Sequence, residues 1–329
     1  MDASVIVPAY NSQKTIAQCV AALMGQKFKG KFEVIVVDDG SSDETKKIAQ
    51  KEGAKVFSQK NAGPAKARNL GAKNAKGKVL VFTDADCIAK KNWLTEMIAP
   101  FSDPKVAGVQ GAYKTWQKSL VARFVQAEIE ERYDYMDRHK EKLDWVGSYS
   151  AAYLREVFFG AKGFDESFPK ASGEDPELSY KIAKSGKKLV FNRAAIVYHT
   201  HPNSVQKYFW TKFYRAFYRI NLYSKHKDKI LKDSYTPPGL KIQILAGYVG
   251  VALLFIIPIL YAYGFALAAK AILVGNAILV FLATFFTLLS AWHAKQDPIV
   301  SIFSLVMIQV RTAAFMLGLP AGFLKKVLK

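Results

Sequence analysis

The chain has 329 residues, half of them hydrophobic, and 47 lysines and arginines against 27 aspartates and glutamates give it a formal net charge of +20. Two cysteines exclude a disulfide framework, fit a reducing compartment and read as small buried apolar residues. The charge admits nucleic acid, a membrane surface or a phosphorylated ligand as partner, and only its distribution can choose among them.

Residues 1–3 lead into a strand-like run without the basic region of a secretion signal, which predicts a cytoplasmic front to the chain. Residues 4–7 form a short apolar run stopped by Pro8, and Asn11 or Ser12 offers a cap for a helix to about Gly25. Strands are predicted at 32–37, 53–57 and 78–82, with helices at 43–51 and 64–75 between them. This alternation implies an α/β domain with a mainly parallel, Rossmann-like sheet and helices on both faces. Such sheets bind ligands at the carboxyl ends of their strands, where Pro8-Ala9-Tyr10-Asn11, Asp38-Asp39 and Asp84-Ala85-Asp86 all fall.

Each of these segments has its own chemistry. Asp38 suits a turn as well as a site, whereas Asp39 is placed to accept hydrogen bonds from a base imide or a ribose hydroxyl, with Gly40 freeing the backbone to turn. Gly63 and Pro64 open a helix whose N-terminus suits an anion, and Arg68 can add a base, ribose or phosphate contact. Asp84 and Asp86, separated only by the small Ala85, suit Mg²⁺ or Mn²⁺ together with diphosphate oxygens. Further on, Gly173-Glu174-Asp175 starts a helix to about Lys184, with Asp175 the candidate general base beside Glu174. A strand at 189–198 is followed by His199, a candidate metal ligand or phosphate contact.

The back of the chain changes character. Residues 204–226 have helical length and interleave aromatic residues such as Trp210 and Tyr214 with Lys207, Lys212, Arg215 and Arg219, a mixture suited to the headgroup layer of an anionic membrane. Residues 242–269 and 271–294 contain no charge, and each run exceeds the roughly 20 apolar residues that cross a bilayer. Spans are therefore expected at about 242–263 and 267–292. A third apolar segment, 299–323, carries Gln309 and Arg311 and is read as spanning, re-entrant or interfacial. Basic flanks at Lys225, Lys227, Lys229 and Lys232 and at Lys325, Lys326 and Lys329 both suit the cytoplasmic side, so an even number of crossings is expected, which favours two spans plus an interfacial third segment. The expected division is thus 1–202 catalytic and cytoplasmic, 203–237 interfacial helix and linker, and 238–329 in the cell membrane. With the charge explained by the membrane, no nucleic-acid partner is expected.

In this order the segments around Pro8, Asp39, Gly63 with Arg68, Asp84 with Asp86, and Glu174 with Asp175 resemble the motifs of family-2 inverting glycosyltransferases over about the first 200 residues. The resemblance implies a GT-A fold, a UDP- or GDP-sugar donor and a divalent metal. It also implies that Pro8, Tyr10, Asp39 and Arg68 grip the nucleoside, that Asp84 and Asp86 hold diphosphate and metal, and that Asp175 is the base. Membrane-bound polymerising members carry Gln-x-x-Arg-Trp on an interfacial helix; here Lys212-Phe213-Tyr214-Arg215-Ala216 keeps only the arginine, so processive polymerisation is not expected, while Arg215 remains a candidate diphosphate contact. Polyprenyl-phosphate sugar synthases use an acceptor that needs no base, so Asp175 argues for a hydroxyl on a lipid-linked saccharide or membrane lipid. Two other readings are a nucleotide-binding membrane scaffold, which has no use for the carboxylates, and a dinucleotide oxidoreductase, whose Gly-x-Gly-x-x-Gly turn is missing after the first strand.

Overall fold

The computed structural model describes residues 1–140, 143–168, 173–230, 233–295 and 297–328, the side chains at 279, 280, 283 and 286–295 excepted. The basic residues Lys232 and Lys329 fall outside that description. By its contacts the chain forms two compact units, Met1–Trp116 with Tyr133–Thr200 and Asn221–Tyr235, and Gln117–Arg132 with His201–Ile220 and Thr236–Lys329.

The first unit is built on one eight-stranded sheet. Its centre is β1 (Ala3–Ala9), parallel to β2 (Phe32–Asp38) on one side and to β4 (Val79–Thr83) on the other, with β3 (Lys55–Ser58) parallel outside β2. Strands β1, β2 and β4 are apolar runs rich in Val buried on both faces, as parallel strands covered by helices must be, whereas the edge-side β3 is exposed at both ends. Beyond β4 the sheet turns mixed. Strand β7 (Ser150–Leu154) is antiparallel to β4 and to β6 (Val106–Lys114), β8 (Lys188–Tyr198) runs parallel to β6, and the two-residue β5 (Ile88–Ala89) closes that edge.

Two local expectations are corrected. Strand β1 does not stop at Pro8 but runs to Ala9. The Ala9 carbonyl accepts from Asp39 N at 2.8 Å, so the alternation of the backbone puts the missing N–H of Pro8 on the β4 side, beyond the last β1–β4 pair, Ile6 with Phe82, where no ladder bond is lost. Nor does Asn11 or Ser12 cap the first helix, α1 (Ile16–Met24), which follows Thr15 with no side-chain cap. Asn11 instead adopts a left-handed φ of 48° and accepts from Ser42 N at 2.9 Å, tying the end of β1 to the turn after β2.

Helices α2 (Thr45–Lys51) and α3 (Pro64–Asn74) join the parallel strands, and α4 (Trp93–Ile98) follows β5. Small residues at Ala67, Gly71 and Ala72 are buried on α3, which turns Arg68 inward on the same face. Helix α5 (Leu120–Arg138) follows β6, the six-residue α6 (Arg155–Gly160) follows β7, and α7 (Glu174–Lys184) precedes β8. Acids in the first turn of α7 and Lys181 and Lys184 in its last complement the helix dipole.

The second unit is helical. It comprises the first part of α5, most of α8 (Val205–Lys225), and α9 (Pro238–Ala262), α10 (Ala266–Lys295) and α11 (Pro298–Val327). Among the described residues α9 and α11 are long and apolar enough to cross a membrane, and α10 is apolar over Ala266–Ile278. The third apolar segment is one unbroken helix, which removes the re-entrant option. Its Arg311 is not alone: the buried guanidinium donates to Glu128 Oε1 at 2.9 Å and to Gln243 Oε1 at 2.6 Å.

Candidate active site

The carboxyl ends of β1, β2 and β4 carry the site's first layer. Asp38 Oδ1 accepts from Ser41 N at 3.2 Å, the turn role. Gly40 is required there: its φ is 75°, and a Cβ would stand 2.7 Å from Asn61 N. Asp39 is buried and reaches the turn that opens α3, its Oδ1 accepting from Gln59 Nε2 at 2.7 Å and Ala62 N at 2.9 Å, its Oδ2 from Gly63 N at 2.9 Å. A carboxylate has about four acceptor positions, so these bonds leave about one, on Oδ2. Tyr10 projects from the end of β1 and is 53% exposed, open to a flat ligand, while Ala9 beside it is buried.

Arg68 is placed differently from a nucleoside contact. Its guanidinium is fully buried, donating to Asp84 Oδ1 at 2.8 Å and to Glu174 Oε1 at 2.9 Å. Among the described residues its Nε has no hydrogen-bond partner. Arg68 therefore couples the β4 end to the start of α7, and Glu174, itself 1% exposed, is the inward half of that coupling. Asp175, the next residue, is half-buried, with Oδ2 accepting from Ser148 N at 3.4 Å. Burial and the neighbouring Glu174 charge push the Asp175 carboxyl up to about 7, with Arg68 pulling the other way.

Asp84, Asp86 and Cys87 bring ligand-type atoms within 4.8 Å of one another. Burial and the two aspartates push the Cys87 thiol up, so at neutral pH it stays protonated and leaves two carboxylates, the donor set that suits a hard divalent cation. Ala85, between the two, is buried. His199 lies beside this cluster, its Nε2 3.3 Å from Asp86 Oδ2 and its ring stacked on Tyr113 at 4.7 Å. Burial tends to raise Asp86, but the hydrogen bond and charge of His199 hold its carboxyl below the usual range. Tyr113 in turn stacks on Tyr149 at 3.6 Å, and the hydroxyls of Tyr149 and Tyr133 are 2.9 Å apart. The predicted residues from Pro8 to His199 all belong to the first unit, those on strands lying at carboxyl ends; Arg215 is an exposed residue of the second unit.

Sequence reasoning missed Ser148, Tyr113 and Tyr149. Ser148 acts through its backbone N–H, which leaves no signal in residue type, and the tyrosines lie in or beside strands where an aromatic residue is ordinary.

A family model described as "Glycosyl transferase family 2" matches residues 4–158. Residues 4–158, all but Gln117–Arg132 of them in the first unit, thus match a family-2 glycosyltransferase domain. The candidate residues from Pro8 to Asp86 lie inside the match, whereas Glu174 and Asp175 lie beyond it. The glycosyltransferase AglE of Haloferax volcanii is 36% identical over 115 residues, 33% of this chain and 38% of that protein. A pre-mycofactocin glycosyltransferase of Mycobacterium tuberculosis is 26% identical over 239 residues, 69% of this chain and 49% of that protein. The chain thus spans less than half the length of these relatives. Among solved structures, a mannosyltransferase from Pyrobaculum calidifontis in complex with GDP-Man and Mn²⁺ superposes with a TM-score of 0.59 at 20% identity, covering 99% of this chain and 86% of that one. At that identity the likeness speaks to the fold, which is the GT-A type expected of a family-2 domain.

Proposed function

We propose that the chain is a membrane-attached, inverting glycosyltransferase that moves a sugar from a UDP- or GDP-sugar to a hydroxyl of a lipid-linked saccharide or membrane lipid. The observation that carries this reading is the joining of two carboxylate sets through one buried arginine: Asp84, beside Asp86, on one side of Arg68 and Glu174, beside Asp175, on the other. Asp84 and Asp86 would hold Mg²⁺ or Mn²⁺, which when bound neutralises charge on the departing diphosphate. Asp175, with its carboxyl near neutrality, takes the proton from the acceptor hydroxyl; the freed oxygen bonds to the anomeric carbon as the carbon–oxygen bond to the nucleoside diphosphate breaks, and the configuration inverts. Tyr10 and the remaining acceptor position of Asp39 suit the base and ribose.

The family match supports a nucleotide-sugar donor, and the paired carboxylates Asp84 and Asp86 support the metal; the protein solved with GDP-Man and Mn²⁺ shares the fold. The apolar helices α9 and α11, with the basic residues before and after them, support attachment to the cell membrane with the first unit in the cytoplasm. A phosphate acceptor needs no base and leaves Asp175 without a task, so a hydroxyl is preferred.

Calorimetric titration with UDP and GDP, with Mn²⁺ and with chelator, tests the donor half. Metal-dependent binding of one nucleotide should be weakened 100-fold or more in Asp84→Ala/Asp86→Ala, in line with loss of a charged ligand set. Binding of neither nucleotide to the unmodified protein returns the scaffold reading.

A further inference from the structure

We infer that α11 lies in the plane of the membrane rather than across it, its outer apolar face seated at the headgroup boundary of an anionic bilayer, so that α9 and α10 alone cross. This rests on the reading that the chain meets a membrane, and it concerns only the second unit.

The first observation is the company α11 keeps along its length. Tyr208 of α8 shares a cluster with Met307 and Ile308, and Ala216 shares one with Phe315. Gly318 and Gly322 press so closely on α8 that a Cβ at either would collide with the carbonyls of Phe213 and Phe217, and Lys325 Nζ lies 5.4 Å over the Phe217 ring. The two helices therefore run side by side from about residue 307 to 325, on the order of 27 Å at 1.5 Å per residue. Helix α8 carries Lys207, Lys212, Arg215 and Arg219 over that length, a load that excludes it from hydrocarbon. A spanning α11 would drag these cations through the bilayer with it.

The second observation is where the polar hub sits. Arg311, near the middle of α11, meets Glu128, which also receives Lys212 and Arg132. Placing this group of four charges at the depth of a span's midpoint is costly; at the interface it is ordinary. The third is divergence. Helix α9 meets α11 in its first three turns, Leu240 beside Phe315, Gln243 at Arg311, Gly247 against Thr312 and Met316, and Tyr248 Oη donating to Met316 O at 2.9 Å, while one turn further Gly250 O already accepts from Asn276 of α10.

The outward face agrees. Ile302, Val306, Leu317 and Leu324 are exposed on α11, and exposed Lys207, Trp210, Tyr214 and Arg215 on α8 supply the cations and amphipathic rings that anionic headgroups favour. Two crossings then return both basic flanks to one side.

The test uses the full chain in inverted membrane vesicles with single-cysteine reporters; native Cys19 and Cys87 are buried. Ile299→Cys and Leu328→Cys mark the two ends of α11, and Tyr263→Cys marks the tip between α9 and α10. A membrane-impermeant maleimide should label both α11 ends before detergent is added and Tyr263→Cys only after. Labelling of the α11 ends from opposite faces overturns the inference and leaves membrane attachment standing; release of the protein by alkaline carbonate overturns both. As a second measurement, a fluorophore on Ala313→Cys should be quenched more by lipids brominated near the glycerol than by lipids brominated at the chain end, and the reverse order overturns the in-plane placement.

Discussion

Both units bury an arginine on a carboxylate, and the two arrangements differ in sign. In the first unit one guanidinium, Arg68, serves Asp84 and Glu174, with Asp86 and Asp175 as neighbours in sequence and a side chain at Asp84 that remains 31% exposed. In the second unit one carboxylate, Glu128, receives Lys212, Arg132 and Arg311, and all four side chains are at most 8% exposed. The carboxylate-rich, open arrangement is one that a divalent cation completes. The cation-rich, closed one is already complete as a structural tie, with Lys212, Arg132 and Arg311 all seated on Glu128. Buried charge therefore marks a site only where the surplus and the access agree.

Replacing the hub carboxylate gives the largest effect. Glu128→Ala removes the carboxylate that Lys212 and Arg311 share and should cost about 3–5 kcal/mol, read as a lowered unfolding midpoint in detergent. A near-neutral result would mean that the hub is no tie. Arg68→Met breaks the opposite arrangement and should cost about 3 kcal/mol; the contrast sharpens because it should also weaken Mn²⁺ binding by freeing Asp84 from its oriented rotamer, whereas Glu128→Ala should leave Mn²⁺ affinity alone. The smallest of the three is His199→Gln, which removes a partner from Asp86 and should weaken Mn²⁺ about tenfold without shifting the unfolding midpoint. Unchanged metal affinity there would confine His199 to packing against Tyr113.

Much of the first unit was legible from its residues. The alternation of apolar strands with helices predicted β1 to β4 and α1 to α3 to within a few residues, because runs such as 34–37 and 79–82 are buried on both faces and carry that burial in their composition. Strand-end aspartates were legible for the same reason: the site begins where the apolar run stops. What was not legible is contact at long range. Arg68 and Glu174 are 106 residues apart and Glu128 and Arg311 are 183 apart, so no local pattern distinguishes a buried guanidinium from the solvated lysines around it. The reversal of the sheet at β7 was hidden likewise, since an antiparallel strand covered on both faces has the same composition as a parallel one.

The most direct test of the account is the pH dependence of turnover in the unmodified enzyme and in Asp175→Asn, with donor binding measured on both. A carboxyl held near 7 acts as a base only above that pH, so kcat/KM of the unmodified enzyme should fall about tenfold per unit as pH drops below about 7. The asparagine variant should bind donor normally, turn over about 100-fold more slowly or worse, and lose that slope. Undiminished turnover in Asp175→Asn, or the same slope retained, would contradict the assignment of Asp175 as the base.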